Sequence, residues 1–261
     1  MPDVIGFIGV GNIATAVVEG LATAPGPVPP IVLSPRNPVK ATSLAERFPS
    51  VTVAGSNQAV LDASDTVFLC VRPQVATEVL QTLRFRTRHL VISLVPLPMA
   101  ALNPLVSPAR LSVRVLVLPT CVQRVQAVPY WPRSTEVQPL LERLGPPLPL
   151  SDEHDLAVLW ASTAMIASFL ALLDTVADWS AGHGVSSETA ADYVATMAHT
   201  LTHQVLGGGS DRYARLATEA ATPGGLNEQV INTLRQEGVC ESVREALDAI
   251  LTRIFPPTPN Q

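Results

Sequence analysis

The run Gly9-Val10-Gly11-Asn12-Ile13-Ala14 has the G-x-G-x-x-G/A spacing that lets a backbone lie against a dinucleotide. Gly9 permits a tight turn, Gly11 lets the chain approach a pyrophosphate, and Ala14 allows close packing of a helix on a strand. The free N–H groups at the start of that helix are natural donors to phosphate, with Asn12 and Ile13 in its first turn. A glycine turn without a ligand is the bland reading of the same residues. An acid about 20 residues beyond the glycines would grip the ribose 2′-hydroxyl of NAD. Here the second strand ends in Leu33-Ser34-Pro35-Arg36-Asn37, without an acid. Arg36 suits a 2′-phosphate, with Ser34 and Asn37 as further donors, which predicts NADP in preference to NAD. The alternative is a solvated surface arginine.

Two further runs suggest a ligand edge. Cys70-Val71-Arg72-Pro73-Gln74 closes the fourth strand-like segment, and strand C-termini form the binding edge of parallel sheets. Cys70, Arg72, Pro73 and Gln74 are expected there beside the coenzyme; Cys70 reads as a small packing residue rather than a nucleophile, since no base is recognisable near it. Thr222-Pro223-Gly224-Gly225 interrupts a helical stretch, and Leu226 restarts it. Its bared N–H groups suit a substrate carboxylate, with Thr222 and Asn227 adding side-chain hydrogen bonds. A plain helix–helix turn is the alternative. His199 and His203 are four apart on a presumed helix, but no third ligand or H-E-x-x-H pattern accompanies them. Neither a serine elbow nor a P-loop is recognisable.

The elements that must position these residues are legible as alternating patterns. Residues 4–8, 31–33, 51–54, 66–71, 90–95 and 113–118 read as apolar strands, with helices at 12–24 and 41–48 among the connections. Continuous apolar strands separated by helices predict a doubly wound parallel sheet of the Rossmann type. The character changes near Leu144-Gly145-Pro146-Pro147-Leu148-Pro149. Beyond it no strand is expected, and residues 157–182, 187–206, 210–220, 226–237 and 239–254 read as helices. The fold class is α/β, with a coenzyme-binding domain at 1–150 and an all-helical domain at 151–261.

The composition of the 261 residues allows a sizeable packed core: 47% are hydrophobic, 15% charged, and the formal net charge is -5. No basic stripe invites nucleic acid. Cys70, Cys121 and Cys240 are far apart and form no C-x-x-C pair, which suits a reducing, cytoplasmic setting. The chain enters a strand pattern almost at once with no basic leader, so no signal peptide is expected. Residues 156–173 carry no charge and reach the lower limit of a membrane span. Their serines and threonine, and the flanking acids with no Lys or Arg, favour a helix buried in a core or a subunit interface, and no membrane partner.

These motifs together resemble the pyrroline-5-carboxylate reductase family over nearly the whole chain. The resemblance rests on residues 6–14, on Val71-Arg72-Pro73-Gln74 where the family has Val-Lys-Pro-Gln, on Leu90-Val91-Ile92-Ser93, and on the Thr222-Pro223-Gly224-Gly225 turn. It implies a Rossmann domain, a C-terminal helical domain that forms a homodimer, and a nicotinamide between the two. It places Asn57 near the adenosine end of the coenzyme and Ser162 near the substrate. Departures cluster at the expected substrate end. The family's Ala-Ala-Gly loop is Val95-Pro96-Leu97 here, its Pro-Asn-Thr-Pro is roughly Leu118-Pro119-Thr120-Cys121, and its Ser-Gly-Ser-Gly-Pro-Ala is Ser162-Thr163-Ala164-Met165-Ile166-Ala167. Asn227 stands where threonine is usual.

The reading that results is an NADP-dependent reductase of the C=N bond of a small cyclic imine, with pyrroline-5-carboxylate foremost. Gly224 and Gly225 would bind substrate together with Thr222 and Asn227, and Ser162, Thr222 and Asn227 would serve the reaction. The rivals are a reductase of another imine or ketone, and an NADP-binding sensor or partner protein without turnover. A keto- or hydroxy-acid reductase would call for a catalytic lysine or histidine in the helical domain, which contains no lysine.

Overall fold

The computed structural model describes residues 4–256. Contacts divide the chain into two compact units, Met1–Trp160 with Arg253–Gln261, and Ala161–Thr252. The composition change near residue 150 precedes that division by one helix.

In the first unit, β1 (Ile5–Ile8), α1 (Asn12–Ala22), β2 (Ile31–Leu33), α2 (Pro38–Arg47), β3 (Val51–Val53), α3 (Asn57–Ala63), β4 (Thr66–Leu69), α4 (Pro73–Gln81), β5 (Leu90–Ser93), α5 (Met99–Val106) and β6 (Arg110–Val115) alternate in chain order. The sheet order is β3-β2-β1-β4-β5-β6-β7-β8, where β7 is Val128–Trp131 and β8 is Pro147–Pro149. The first six strands pair in parallel. β1 and β4 are buried at every residue because helices cover both sheet faces. Phe7 and Phe68 stack across them with ring centroids 4.8 Å apart. Each buried aromatic contributes roughly 1.5–3 kcal/mol over exposure, so this pair anchors the centre of the sheet.

β7 and β8 are strands that periodicity does not reveal. Pro129 interrupts one and Pro147-Leu148-Pro149 makes up the other, and proline in a strand removes a ladder donor. β7 runs antiparallel to β6, so the sheet is parallel except at that pair. Strand ends differ as well. β4 and β5 stop at Leu69 and Ser93 rather than continuing to 71 and 95, and β6 starts at Arg110 rather than 113.

α1 is clamped at its far end by two arginines distant in sequence. Arg124 donates from Nη2 to Gly20 O (2.9 Å), and the buried Arg143 donates from Nη2 to Leu21 O (3.1 Å) and Ala24 O (3.4 Å). They satisfy carbonyls that the end of a helix leaves open, and their charge complements the helix dipole there.

The single helix expected over 157–182 is two: α7 (Glu153–Ser162), and α8 (Met165–Gly182) in the second unit. Tight i→i+3 bonds separate them, Ala164 N to Ala161 O (3.0 Å) and Ile166 N to Thr163 O (3.2 Å). α9 (Ser187–Gln204), α10 (Arg212–Ala220), α11 (Leu226–Gln236) and α12 (Val239–Ile254) follow, and α8 packs on α9. By length and composition, Glu153–Gly182 is the one stretch among the described residues apolar enough to cross a membrane. It was expected to be buried in a core or an interface. Within this chain no residue of α8 is buried, and Phe169, Leu170, Leu172 and Trp179 are exposed. The intrachain core is therefore not what covers them.

Candidate functional site

The chain reverses direction across the sheet at β1: β2 and β3 lie to one side, β4 and β5 to the other. Ligands of open α/β sheets bind where strand order switches, beyond the carboxyl ends of the strands. A groove of about 320 Å³ lies there, lined by Gly9, Val10, Gly11, Arg36, Asn37, Pro38, Cys70, Val71, Arg72 and Val75. Five of the expected coenzyme residues, Gly9, Gly11, Arg36, Cys70 and Arg72, thus converge from the ends of β1, β2 and β4.

The two glycines have different causes. Gly9 has φ +98°, and a Cβ there would stand 2.8 Å from Cys70 O, so the fold itself requires glycine. Gly11 has φ −94°, which any residue adopts, and a Cβ there would meet nothing within 4 Å. No intrachain contact demands glycine at 11; the open space is what a ligand lying on the backbone would need. Gly11 caps α1 without a side-chain hydrogen bond, and the first turn carries no acid. The leading N–H groups of α1 are left for an anion.

The charge of the groove points the same way. Arg36 and Arg72 line it, and no acidic residue does. Lys40, which belongs to none of the motifs, is a further functional candidate. Its Nζ donates to Asn12 Oδ1, and its backbone N–H donates to Asn37 Oδ1 (3.4 Å). It is the only lysine of the chain and stands in the first turn of α2, where a cation opposes the helix dipole. That unfavourable placement was the available signal.

Several expectations are corrected. Ser34 was assigned to the 2′-phosphate, but it is fully buried and its Oγ accepts from Gly9 N–H (2.9 Å). It shapes the glycine turn from below. Asn37 likewise donates from Nδ2 to Val10 O (3.0 Å) while capping α2, so it ties β2's exit to the turn. Not all are corrected: Ala14 is fully buried and packs the helix on the sheet, as its small side chain predicts, and Ile13 packs its side chain against the core, which leaves the expectation for its backbone N–H untouched. Pro73 and Gln74 open α4 and are outside the groove lining, whereas Arg72 is the N-cap of that helix. Asn57 is the first residue of α3, after its cap Ser56. Cys70 is half-buried at the groove wall, and desolvation raises its thiol pKa, which agrees with packing and not with a nucleophile.

The residues assigned to substrate lie in the second unit. Ser162 ends α7, Thr222–Gly225 lies in the connection from α10 to α11, and Asn227 is in the first turn of α11. Gly224 has φ +73°, so glycine is needed for the turn. Gly225 is required for a different reason, since a Cβ there would stand 2.5 Å from Thr222 Oγ1. Asn227 donates from Nδ2 to Ala220 O (3.2 Å), linking the two helices, so part of its hydrogen-bonding capacity goes to structure. Glu228 was not singled out from the sequence; its Oε2 accepts from Gly224 N–H (2.7 Å). His199 and His203 lie with ring centroids 6.3 Å apart, and no cluster of three metal-ligating side chains occurs among the described residues.

Comparison with known proteins agrees with both halves of this description. Residues 4–96 match the family described as NADP oxidoreductase coenzyme F420-dependent, and residues 153–254 match the family described as pyrroline-5-carboxylate reductase dimerisation. A pyrroline-5-carboxylate reductase of Pseudomonas aeruginosa is 27% identical over 260 residues, 95% of this chain and 94% of the relative. The crystal structure of 1-pyrroline-5-carboxylate reductase from Streptococcus pyogenes superposes with a TM-score of 0.83 at 20% identity, covering 96% and 97% of the two chains. The Plasmodium falciparum pyrroline carboxylate reductase with NADP bound gives 0.78 at 18% identity, covering 96% of each. These superpositions establish the fold.

Proposed function

This chain belongs to the pyrroline-5-carboxylate reductase family, and we propose that it is an NADPH-dependent oxidoreductase that reduces the C=N bond of a small cyclic imine, pyrroline-5-carboxylate to proline. The observation that carries the coenzyme half is the groove at the switch point. An uncapped helix start, open space over Gly11, two lining arginines and the neighbouring Lys40 form a receptor for phosphates. Gly11 and the first turn of α1 hold the pyrophosphate, and Arg36 with Lys40 holds the 2′-phosphate. When bound, the reduced nicotinamide supplies the hydride that reaches the imine carbon. The protein's own work is mainly to orient the partners, since a protonated imine is already electrophilic. Thr222, Gly224, Gly225 and Asn227 orient the substrate, with Ser162 nearby. The apolar outer face of α8 and the match of residues 153–254 support a homodimer built through the helical unit.

The test is NADPH oxidation with racemic pyrroline-5-carboxylate, with NADH in parallel. Turnover that is faster with NADPH is expected. Retained NADPH binding with no turnover on any cyclic imine would favour the rival reading, a coenzyme-binding protein without catalysis.

One observation favours a second substrate. Glu228 already occupies Gly224 N–H, a donor that a substrate carboxylate would use. Ala161–Thr252 also carries eleven acidic residues against four arginines, whereas the rest of the chain carries thirteen cations against eleven acids. The field of the helical unit therefore disfavours an anionic group and welcomes a cationic iminium without one. Glu228→Gln keeps an acceptor for Gly224 N–H and removes the charge. It is expected to raise kcat/KM for pyrroline-5-carboxylate relative to 1-pyrroline by about tenfold, as for loss of one nearby like charge. An unchanged ratio removes Glu228 from substrate selection.

A further inference from the structure

Arg114 is the most deeply buried cation among the described residues, with 1% of its surface exposed. It lies on β6 in register with Ser93, the last residue of β5. Its Nη1 donates to Glu153 Oε1 (2.6 Å), and its guanidinium carbon stands 5.3 Å from the centre of the Trp160 ring. Arg114 Nε has no hydrogen-bond partner. The same Glu153 oxygen accepts from the backbone N–H of Met99 (2.6 Å). Met99 opens α5, so the carboxylate also satisfies a donor that a helix start leaves open. One oxygen thus joins β6, the start of α5 and the start of α7.

The segment this oxygen fixes is the loop 94–98 between β5 and α5. Its other end is held where Leu94 N donates to Leu69 O (2.9 Å) and Val95 N donates to Ser93 Oγ (3.1 Å). The order β2-β1-β4-β5 matches a dinucleotide laid across the strand ends. Arg36 follows β2 and the glycine turn follows β1, so the phosphates of the adenosine half lie there. The loops after β4 and β5 are left for the nicotinamide half.

A buried ion pair is often no more stabilising than apolar residues of the same volume. Stability alone is therefore a poor reason for an arginine here. We propose that Arg114 and Glu153 are positioning residues that hold loop 94–98 in the shape needed against the nicotinamide half of the coenzyme. The inference rests on the coenzyme reading above. Neither residue touches the coenzyme groove; both act through the loop. Burial lowers the Arg114 pKa, and the Glu153 carboxylate beside it opposes that shift.

The experiment compares two ligands on the full chain by titration calorimetry: NADPH, and 2′-phospho-ADP-ribose, which lacks the nicotinamide. Glu153→Gln retains an acceptor for Met99 N–H and removes the charge that faces Arg114. It is expected to weaken NADPH by about tenfold or more and to leave the fragment within about twofold, because only the nicotinamide half is misplaced. Glu153→Asp, which keeps the charge, should recover part of the loss. Met99→Pro is the second variant, for use if Glu153→Gln does not fold. Proline is accepted at the first position of a helix, and Pro98 before it already has the extended φ −58°, ψ 150° that a following proline requires. It deletes the donor to Glu153 and leaves the Arg114 pair intact, and the same split between ligands is expected. Equal weakening of both ligands, or no change in either, overturns the proposal. Failure of the unaltered protein to bind the fragment as well as NADPH would instead overturn the coenzyme reading on which it stands.

Discussion

Replacing Gly11 by aspartate is expected to leave the protein folded and to cost it the coenzyme. Backbone geometry at Gly11 suits any residue, and a side chain there enters open space. Aspartate is a better helix cap than glycine, by a few tenths of a kcal/mol, so the melting temperature should hold or rise slightly. The same carboxylate would take the first N–H groups of α1 and set a negative charge where the pyrophosphate lies. NADPH affinity should fall about a hundredfold, or ~2.7 kcal/mol. Gly9→Ala is the control of opposite kind. Forcing a Cβ into a left-handed position costs roughly 1–2 kcal/mol before any clash, and the Cβ would also stand 2.8 Å from Cys70 O. That variant should lose stability first and coenzyme second. Denaturation and NADPH titration of the two proteins check both statements. A Gly11→Asp protein that unfolds, or that binds NADPH normally, would remove the pyrophosphate from this turn.

Removing Arg36 and Lys40 together should erase the preference for NADPH over NADH. The two cations stand on the side of the groove formed by the end of β2 and the start of α2, beyond Ser34 and Asn37, which are engaged with the glycine turn. With Ser34 occupied and one amide hydrogen of Asn37 committed to Val10 O, charge is expected to supply most of the recognition of a 2′-phosphate. A charge-assisted hydrogen bond contributes roughly 1.5–3 kcal/mol, so Arg36→Ala with Lys40→Met should weaken NADPH by about a hundredfold and NADH by little. The measurement is kcat/KM for both coenzymes, or their dissociation constants where no substrate is turned over. Equal losses would place the pair on a part that the two coenzymes share. Because Lys40 is the only lysine, its side chain can also be followed by amine-selective modification, from which bound NADPH should shield it.

The glycine turn of the proposed coenzyme groove was legible in the sequence, and the side chains left available around it and in the helical unit were not. A glycine turn between a buried strand and a helix is local: steric limits on φ, the apolar run of β1 and the spacing to Ala14 all act within about ten residues. The roles of Ser34, Asn37 and Lys40 are set otherwise. Ser34 lies 25 residues from Gly9, Asn37 lies 27 from Val10, and Lys40 lies 28 from Asn12; all three meet the turn because β2 pairs beside β1. Reading Ser34 as a phosphate donor was chemically reasonable, and burial overruled it. β7 and β8 escaped notice because their prolines suppress the apolar alternation by which strands are found. The turn at Thr163–Ala164 was hidden in an uncharged stretch, where neither glycine nor proline marks the end of a helix.

The sequence by itself therefore determined the class of fold and the glycine turn on which the proposed coenzyme site is built, because short-range sterics and the burial periodicity of each element are written residue by residue. Only the tertiary structure decided which polar side chains remain available to a ligand. A hydroxyl, amide or carboxylate can satisfy the backbone or bind a substrate, and the choice depends on which N–H or carbonyl the packing of distant segments brings beside it. Ser34 under Gly9, Glu228 on Gly224 and Glu153 between Arg114 and Met99 are all settled in that way.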